Sequence, residues 1–210
     1  VVDAAYFGAA EPSTGIVAPG LVGHRDKVLY PYDPDKAKAL LKEAGVESGF
    51  SCTLDILNKA ERASAAQAIQ AQLAEVGITV TIQQHDSGTF WSIGDEKAGE
   101  KWKTIQLLLN RFSMQPDPSW ATAWFTPDQI GVWNWERWNS AEFGELHKQG
   151  LVELEPDKRD EIYKRMQDLM EESGAYVFLT HEAVGVAYRD NVTPGLQPNG
   201  TPNFVDFKKA

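Results

Sequence analysis

Apolar residues fall at every second position over residues 51–57, with Cys52, Leu54 and Ile56 on one face, and the same alternation returns at Ile78, Val80 and Ile82. A period of two marks a strand with one buried face. Between these runs the spacing changes. Ile69, Leu73 and Val76 recur at helical intervals within residues 62–76, and Gly77 ends the pattern. Strand, helix and strand joined by short turns predict a right-handed βαβ crossover with two parallel strands. A polar, partly helical stretch over 87–103 then leads to a third strand at 104–109. It is apolar at nearly every position, as a buried central strand would be.

Other elements announce themselves by their ends. Asp33 is a good N-cap, Pro34 suits the first helical position, and Gly45 stands where a left-handed C-terminal cap is wanted. The stripe of that helix is Ala37, Leu40, Leu41 and Ala44. Two more helices are predicted, one over 140–151 and one from Pro156 to a stop at Gly174, with Ile162, Met166, Leu169 and Met170 on one face. Residues 176–188 are mostly apolar and read as one or two strands. Residues 1–30, punctuated by Pro12, Pro19 and Gly20, read as an extended, loop-dominated lead-in. From Asn191 to Ala210 the chain is polar and rich in Pro and Gly. The fold class is α/β, a mixed sheet with flanking helices.

Five of the seven tryptophans lie between Trp120 and Trp138, directly after the turn Gln115-Pro116-Asp117-Pro118. Such a cluster builds a core corner or lines a pocket, and tryptophan suits ligands of mixed polarity. Most of the rings are expected to be structural. Trp124 and Trp138 are assigned to the core, and Trp133 or Trp135 to the ring nearest a ligand. Net charge is -10, without a run of Lys or Arg, which speaks against nucleic-acid binding. Cys52 is the only cysteine, so neither an internal disulfide nor a cysteine-based metal site is possible, and it reads as a small core hydrophobe. Val1 is no initiator methionine, and the chain reads as a segment of something larger.

Catalytic signatures are lacking. His24, His85, His147 and His181 are far apart in sequence and none has a partner at metal-ligand spacing. There is no nucleophile elbow, phosphate loop or dinucleotide fingerprint. Asp33 and Asp35 are explained by helix capping. His181 reads as a satisfied core histidine. No catalytic residue, metal or cofactor is predicted.

The segment from Tyr30 to Gly45, with Asp33-Pro34-Asp35-Lys36-Ala37 at its centre and Leu40-Leu41-Lys42-Glu43-Ala44 at its end, closely resembles one of the family 5 extracellular solute-binding proteins of ABC importers. These are the oligopeptide-, dipeptide-, nickel- and opine-binding proteins. Further similarities follow in the family's order: Gln72 through Val80, the Pro116-Asp117-Pro118 turn, Asn134 ahead of Ser140-Ala141-Glu142-Phe143, and then Asp157, Lys158, Arg159, Tyr163 and Gln167. The agreement runs from Tyr6 to Pro198.

The resemblance implies a two-lobed clamp longer than this chain. Residues 1–190 would form its second lobe, domain III, and residues 191–210 a tail crossing toward the first. It implies a substrate-binding component that captures a peptide-like or other small solute, in one reading anionic, and delivers it to an inner-membrane permease. Such a protein would be periplasmic and monomeric, with no nucleic-acid partner. The resemblance also locates a departure. Where peptide binders carry an aspartate for the ligand's α-amino group this chain has Met114, and where they carry tryptophan it has Arg111. Arg111 would either take an acid group of the ligand, in keeping with bidentate guanidinium geometry, or pair with a local acid such as Asp117.

Ligands of open α/β sheets sit beyond the carboxyl ends of the strands, which independently points to residues 110–114 and 85–87. The expected ligand-binding set is Arg111, Phe112, Met114, His85, Ser87, Trp133 and Trp135. A soluble hydrolase or transferase domain is the alternative, and an interaction domain without a small ligand stands third.

Overall fold

Alternation in the chain becomes a small parallel sheet closed on both faces. The computed structural model describes residues 1–183, 185–197 and 201–209. In chain order it carries α1 (Val2–Tyr6), β1 (Ala10–Pro12), α2 (Pro34–Glu43), β2 (Phe50–Leu57), α3 (Ala60–Ala74), β3 (Ile78–His85) and α4 (Ser87–Phe90). There follow β4 (Leu107–Leu109), α5 (Ser119–Thr122), α6 (Ala141–Val152), α7 (Pro156–Glu172), β5 (Thr180–Glu182), β6 (Val192–Thr193) and β7 (Lys208–Lys209), with short 3-10 turns between some of them.

Strand β2 is the centre of the sheet. It pairs in parallel with β3 along its whole length, Phe50 opposite Ile78 and Leu57 opposite His85, and with β4 at Leu54 to Leu107 and Ile56 to Leu109. The third strand is therefore an edge, and shorter than predicted. Lys101–Thr104 form a 3-10 turn, and Gln106 turns its side chain in to accept the Thr53 N–H at 2.9 Å. Leu107, expected inside, is substantially exposed. The antiparallel part of the sheet content lies apart, in the pairs β1 with β5 and β6 with β7.

One face of the sheet is sealed by Cys52, Leu54, Ile56, Val80 and Leu109 against Ala65 and Ala66 of α3 and Ala5 of α1. Small alanines let α3 lie close to the strands. Its inner face thus begins further toward the N-terminus than the apolar spacing indicates, and Val76 falls beyond its end. The opposite face is covered by Phe90, Ile93 and Trp135, packed on Leu57 and Leu108. Gly94 makes this possible. A Cβ there would stand inside the Trp135 indole.

A second core lies between α6 and α7, built on Phe143, Tyr163, Met166, Met170 and Phe125. Ser140 caps α6 by accepting the Phe143 N–H, and Pro156 opens α7. The lead-in is more ordered than a loop: α1 packs on α3, and β1 pairs with β5. The rest of it is pinned to α7 by two buried side chains. Gln167 accepts from the Val17 N–H and donates to the Gly23 and Tyr163 carbonyls, and Arg25 reaches Thr14 O, Asp168 and Glu171.

Helix α2 differs from expectation in one respect. Its ends are as predicted, with Asp33 accepting the Lys36 N–H at 2.9 Å and Gly45 left-handed. None of its residues is buried, however, and Leu40 is 53% exposed. Of residues 176–188, only β5 forms a strand among the described positions. Pro198 and Ala210, which belong to the expected tail, lie outside the described residues.

Candidate functional site

Because β2 and β4 run parallel, their carboxyl ends open on the same side. There they border a cleft of about 370 Å³. Leu57 and Leu109 close its floor, and the chain leaving β4 supplies Asn110, Arg111, Phe112 and Ser113. Lys59, just ahead of α3, and Glu61 and Arg62 of its first turn also line the cleft. The end of α4 brings Phe90 and Trp91, and the tryptophan-rich segment adds Trp124 and Trp133.

The aromatic wall is a continuous series of rings. Trp91 and Trp135 have centroids 6.4 Å apart, Trp135 and Trp133 are stacked at 6.1 Å, and Trp133 meets Trp124 edge-on at 5.3 Å. Trp124 in turn stacks on Phe112 at 6.1 Å. Such offset and edge-on pairs are the preferred geometries of ring quadrupoles. Asn134 holds the segment in place. Fully buried, it donates from Nδ2 to the Phe125, Thr126 and Trp138 carbonyls and accepts the Trp138 N–H on Oδ1.

The opposite wall is cationic and centres on Glu182. This carboxylate, at the end of β5, accepts from Arg62 Nη1 at 2.5 Å and Nη2 at 3.2 Å and from the Tyr6 hydroxyl at 2.7 Å, and forms an ion pair with Arg111, whose Nε is 3.2 Å away. Burial works against its charge, but the Arg62 and Tyr6 hydrogen bonds, with the charges of both arginines, hold Glu182 below the usual carboxylate range. Arg62 is buried, whereas Arg111 remains about half exposed at the cleft. Asp117, a local acid available to Arg111, is instead held by Arg159 at 2.8 Å.

Of the seven residues predicted for ligand contact, Arg111, Phe112 and Trp133 line this cleft. The other four do not. His85 turns inward to Asp55, with Nε2 2.6 Å from Oδ1. Ser87 lies exposed in the first turn of α4, and Met114 is half buried beyond the lining loop. Trp135 is buried behind Trp133, its indole N–H donating to the Val132 carbonyl at 2.8 Å. Trp124 packs on the second core, as assigned, and its remaining surface borders the cleft. Trp138 packs on Phe143 and Tyr176, as assigned.

Sequence reasoning missed Arg62, Trp91 and Trp124. The strand-end rule that singled out residues 110–114 would have reached Arg62, had it been applied to the first strand as well. The four histidines have local partners. His24 meets Val17 O and Asp26, His147 meets Thr122, and His181 meets Ser13. Among the described residues no three His, Cys, Asp or Glu side chains gather to hold a metal, and no helix is long and apolar enough to cross a membrane.

Comparison with known proteins places this geometry. Residues 1–131 match the bacterial extracellular solute-binding proteins, family 5 Middle. The dipeptide-binding protein of Escherichia coli K12 is 31% identical over 199 residues, which is 91% of this chain and 36% of that protein. The glutathione-binding protein of the same strain is 29% identical over 198 residues, 92% of this chain and 38% of the relative. The chain thus spans a little over a third of the length of these relatives. A dipeptide-binding protein from Pseudoalteromonas sp. SM9913, solved with Met-Leu, superposes with a TM-score of 0.76 at 22% identity, over all of this chain and 42% of that one. These relatives carry the names of binding proteins rather than of enzymes. The chain belongs to the bacterial extracellular solute-binding proteins, family 5.

Proposed function

We propose that residues 1–190 are the second lobe, domain III, of the substrate-binding component of an ABC importer, and that residues 191–210 lead back toward a first lobe. In the periplasm the complete protein closes its two lobes around a peptide-like or other small, acid-bearing solute and delivers it, as a monomer, to the permease in the inner membrane. The observation that carries this reading is the cleft at the carboxyl ends of β2 and β4, with stacked indoles on one wall and guanidinium groups on the other. A site of this kind becomes a binding site when a second body covers it and hinge closure excludes water.

Arg111, Phe112 and Trp133 are the contacts proposed on this side. The dipeptide- and glutathione-binding relatives support a peptide-like solute. The lobe alone should hold its physiological solute far more weakly than the complete protein, since half of the ligand's surface would stay in water. Native mass spectrometry of the complete gene product, purified without denaturation, tests the proposal. A stoichiometric small-molecule adduct is expected. A product that carries no solute, and shows no binding heat with di- and tripeptides or small organic acids, would refute it.

A further inference from the structure

The charges around Glu182 do not balance. Arg62 and Arg111 both lean on this one carboxylate, which leaves one positive charge at the cleft. At the rim, Lys59 and Glu61 are exposed and of opposite sign. Glu182 is also heavily engaged. A carboxylate offers about four lone-pair positions, of which two hydrogen bonds from Arg62 and one from Tyr6 take three, while Arg111 adds an ion pair. A ligand ammonium arriving here would find its carboxylate taken and would face two guanidiniums. An arriving acid would find Arg111, about half exposed and fixed by a single ion pair.

The facing wall sets a second requirement. Trp124 and Trp133 meet edge-on beside Phe112, and all three border the cleft. A flat ring laid on the surface that these rings leave exposed gains area burial and aromatic contact together. A small acid without a ring would leave this wall wet.

We infer that the cleft selects a ring-bearing monoanion, its ring against Trp124 and Trp133 and its acid group on Arg111, and that Arg62 and Arg111, by occupying Glu182, disfavour ligands presenting an ammonium at this end. The inference rests on the solute-binding reading above and names the chemical class that the site takes.

The test uses the 210-residue chain labelled with nitrogen-15, following the tryptophan indole N–H signals during titration. This observable registers weak binding and tells one ring from another. Four probes separate the terms: N-acetyl-L-phenylalanine (ring and acid), its amide (ring, neutral), phenethylamine (ring and ammonium) and N-acetylglycine (acid, no ring). N-acetyl-L-phenylalanine should shift Trp124 and Trp133 saturably, with half-saturation at least about tenfold below each of the others, the equivalent of about 1.4 kcal/mol. Arg111→Gln should erase the preference for acid over amide and leave the dispersion of the seven indole signals intact.

If the amide or phenethylamine binds as well as the acid, the charge assignment is overturned. Equal binding of N-acetylglycine would overturn the ring. If no probe moves Trp124 or Trp133, this cleft does not select a ring-bearing acid, and the importer reading still stands or falls on the adduct seen by native mass spectrometry.

Discussion

Replacing Asn134 should be among the most damaging changes in the molecule, although it touches neither strand nor long helix. Its side chain is fully buried and ties its own segment to two others through three carbonyls, those of the adjacent Phe125 and Thr126 and that of Trp138. The amide has two hydrogens for three carbonyls, so the loss amounts to two donated bonds and the one accepted from the Trp138 N–H at 3.1 Å. A net hydrogen bond contributes about 1 kcal/mol, and a backbone group left buried without a partner costs about 1–3 kcal/mol. With partial relaxation and some entry of water, Asn134→Ala should lose roughly 3–5 kcal/mol, a large part of the about 5–15 kcal/mol that holds a typical domain together. Asn134→Asp is the sharper variant. It keeps the shape and the bond to Trp138 N–H but turns an oxygen toward three carbonyls, so it should be no better than alanine. Urea unfolding followed by far-ultraviolet circular dichroism measures both. A loss below about 1 kcal/mol in the two variants, with the indole spectrum unchanged, would mean that the tryptophan segment holds its shape without this residue.

The paired tryptophans divide in the same assay. Trp135→Ala should cost roughly 3–5 kcal/mol as a buried ring, while Trp133→Ala, at a ring only partly buried, should cost less and act mainly on ligand affinity. Equal destabilisation by the two would contradict the placement of Trp133 at the cleft. Gly94→Ala should be destabilising by about 1–3 kcal/mol through overpacking on Trp135, and a thermal midpoint equal to that of the parent would show that the indole can move aside. Arg25→Ala should cost about 3–5 kcal/mol, because Asp168 and Glu171 are left facing each other without their common partner. Acid should expose Glu182. Its folded pKa lies below the ordinary 4.5, so the stability it contributes is complete above that value and is lost as pH falls through the lower folded pKa. Melting midpoints should fall accordingly between about pH 7 and about pH 3, and Glu182→Gln should lack that part of the fall. A variant with the same acid profile would assign the effect to other carboxylates.

What could be read from the sequence was what is decided locally. The capping of α2 by Asp33, the starts of α6 and α7 at Ser140 and Pro156, and the faces of β2 and β3 each depend on residues within a few positions of one another. The failures were long-range. Nothing near residue 107 reveals that β2, already paired with β3, will take β4 on its other side and leave it at an edge. The partner of Arg111 lies 71 positions away at Glu182, and a nearer acid, Asp117, is claimed by Arg159. Trp135, one of the two rings named for the ligand, is buried for a related reason. Its indole is covered where Gly94, which belongs to a different segment, lets the chain come close.

The ring series from Trp91 through Trp135 and Trp133 to Trp124 has an optical consequence. Neighbouring centroids are 5.3 to 6.4 Å apart, a separation at which excitation passes between indoles much faster than it is emitted. These four chromophores therefore share their excited state. A molecule that quenches Trp124 or Trp133 at the cleft drains light absorbed at Trp91 and at the buried Trp135 as well. Ligand arrival at one end becomes a change in the emission of the whole array, and its depolarisation should disappear on excitation at the red edge, where transfer between like indoles fails. Replacing any one member with phenylalanine would not subtract a single emitter, because it would cut the route by which the others share their energy.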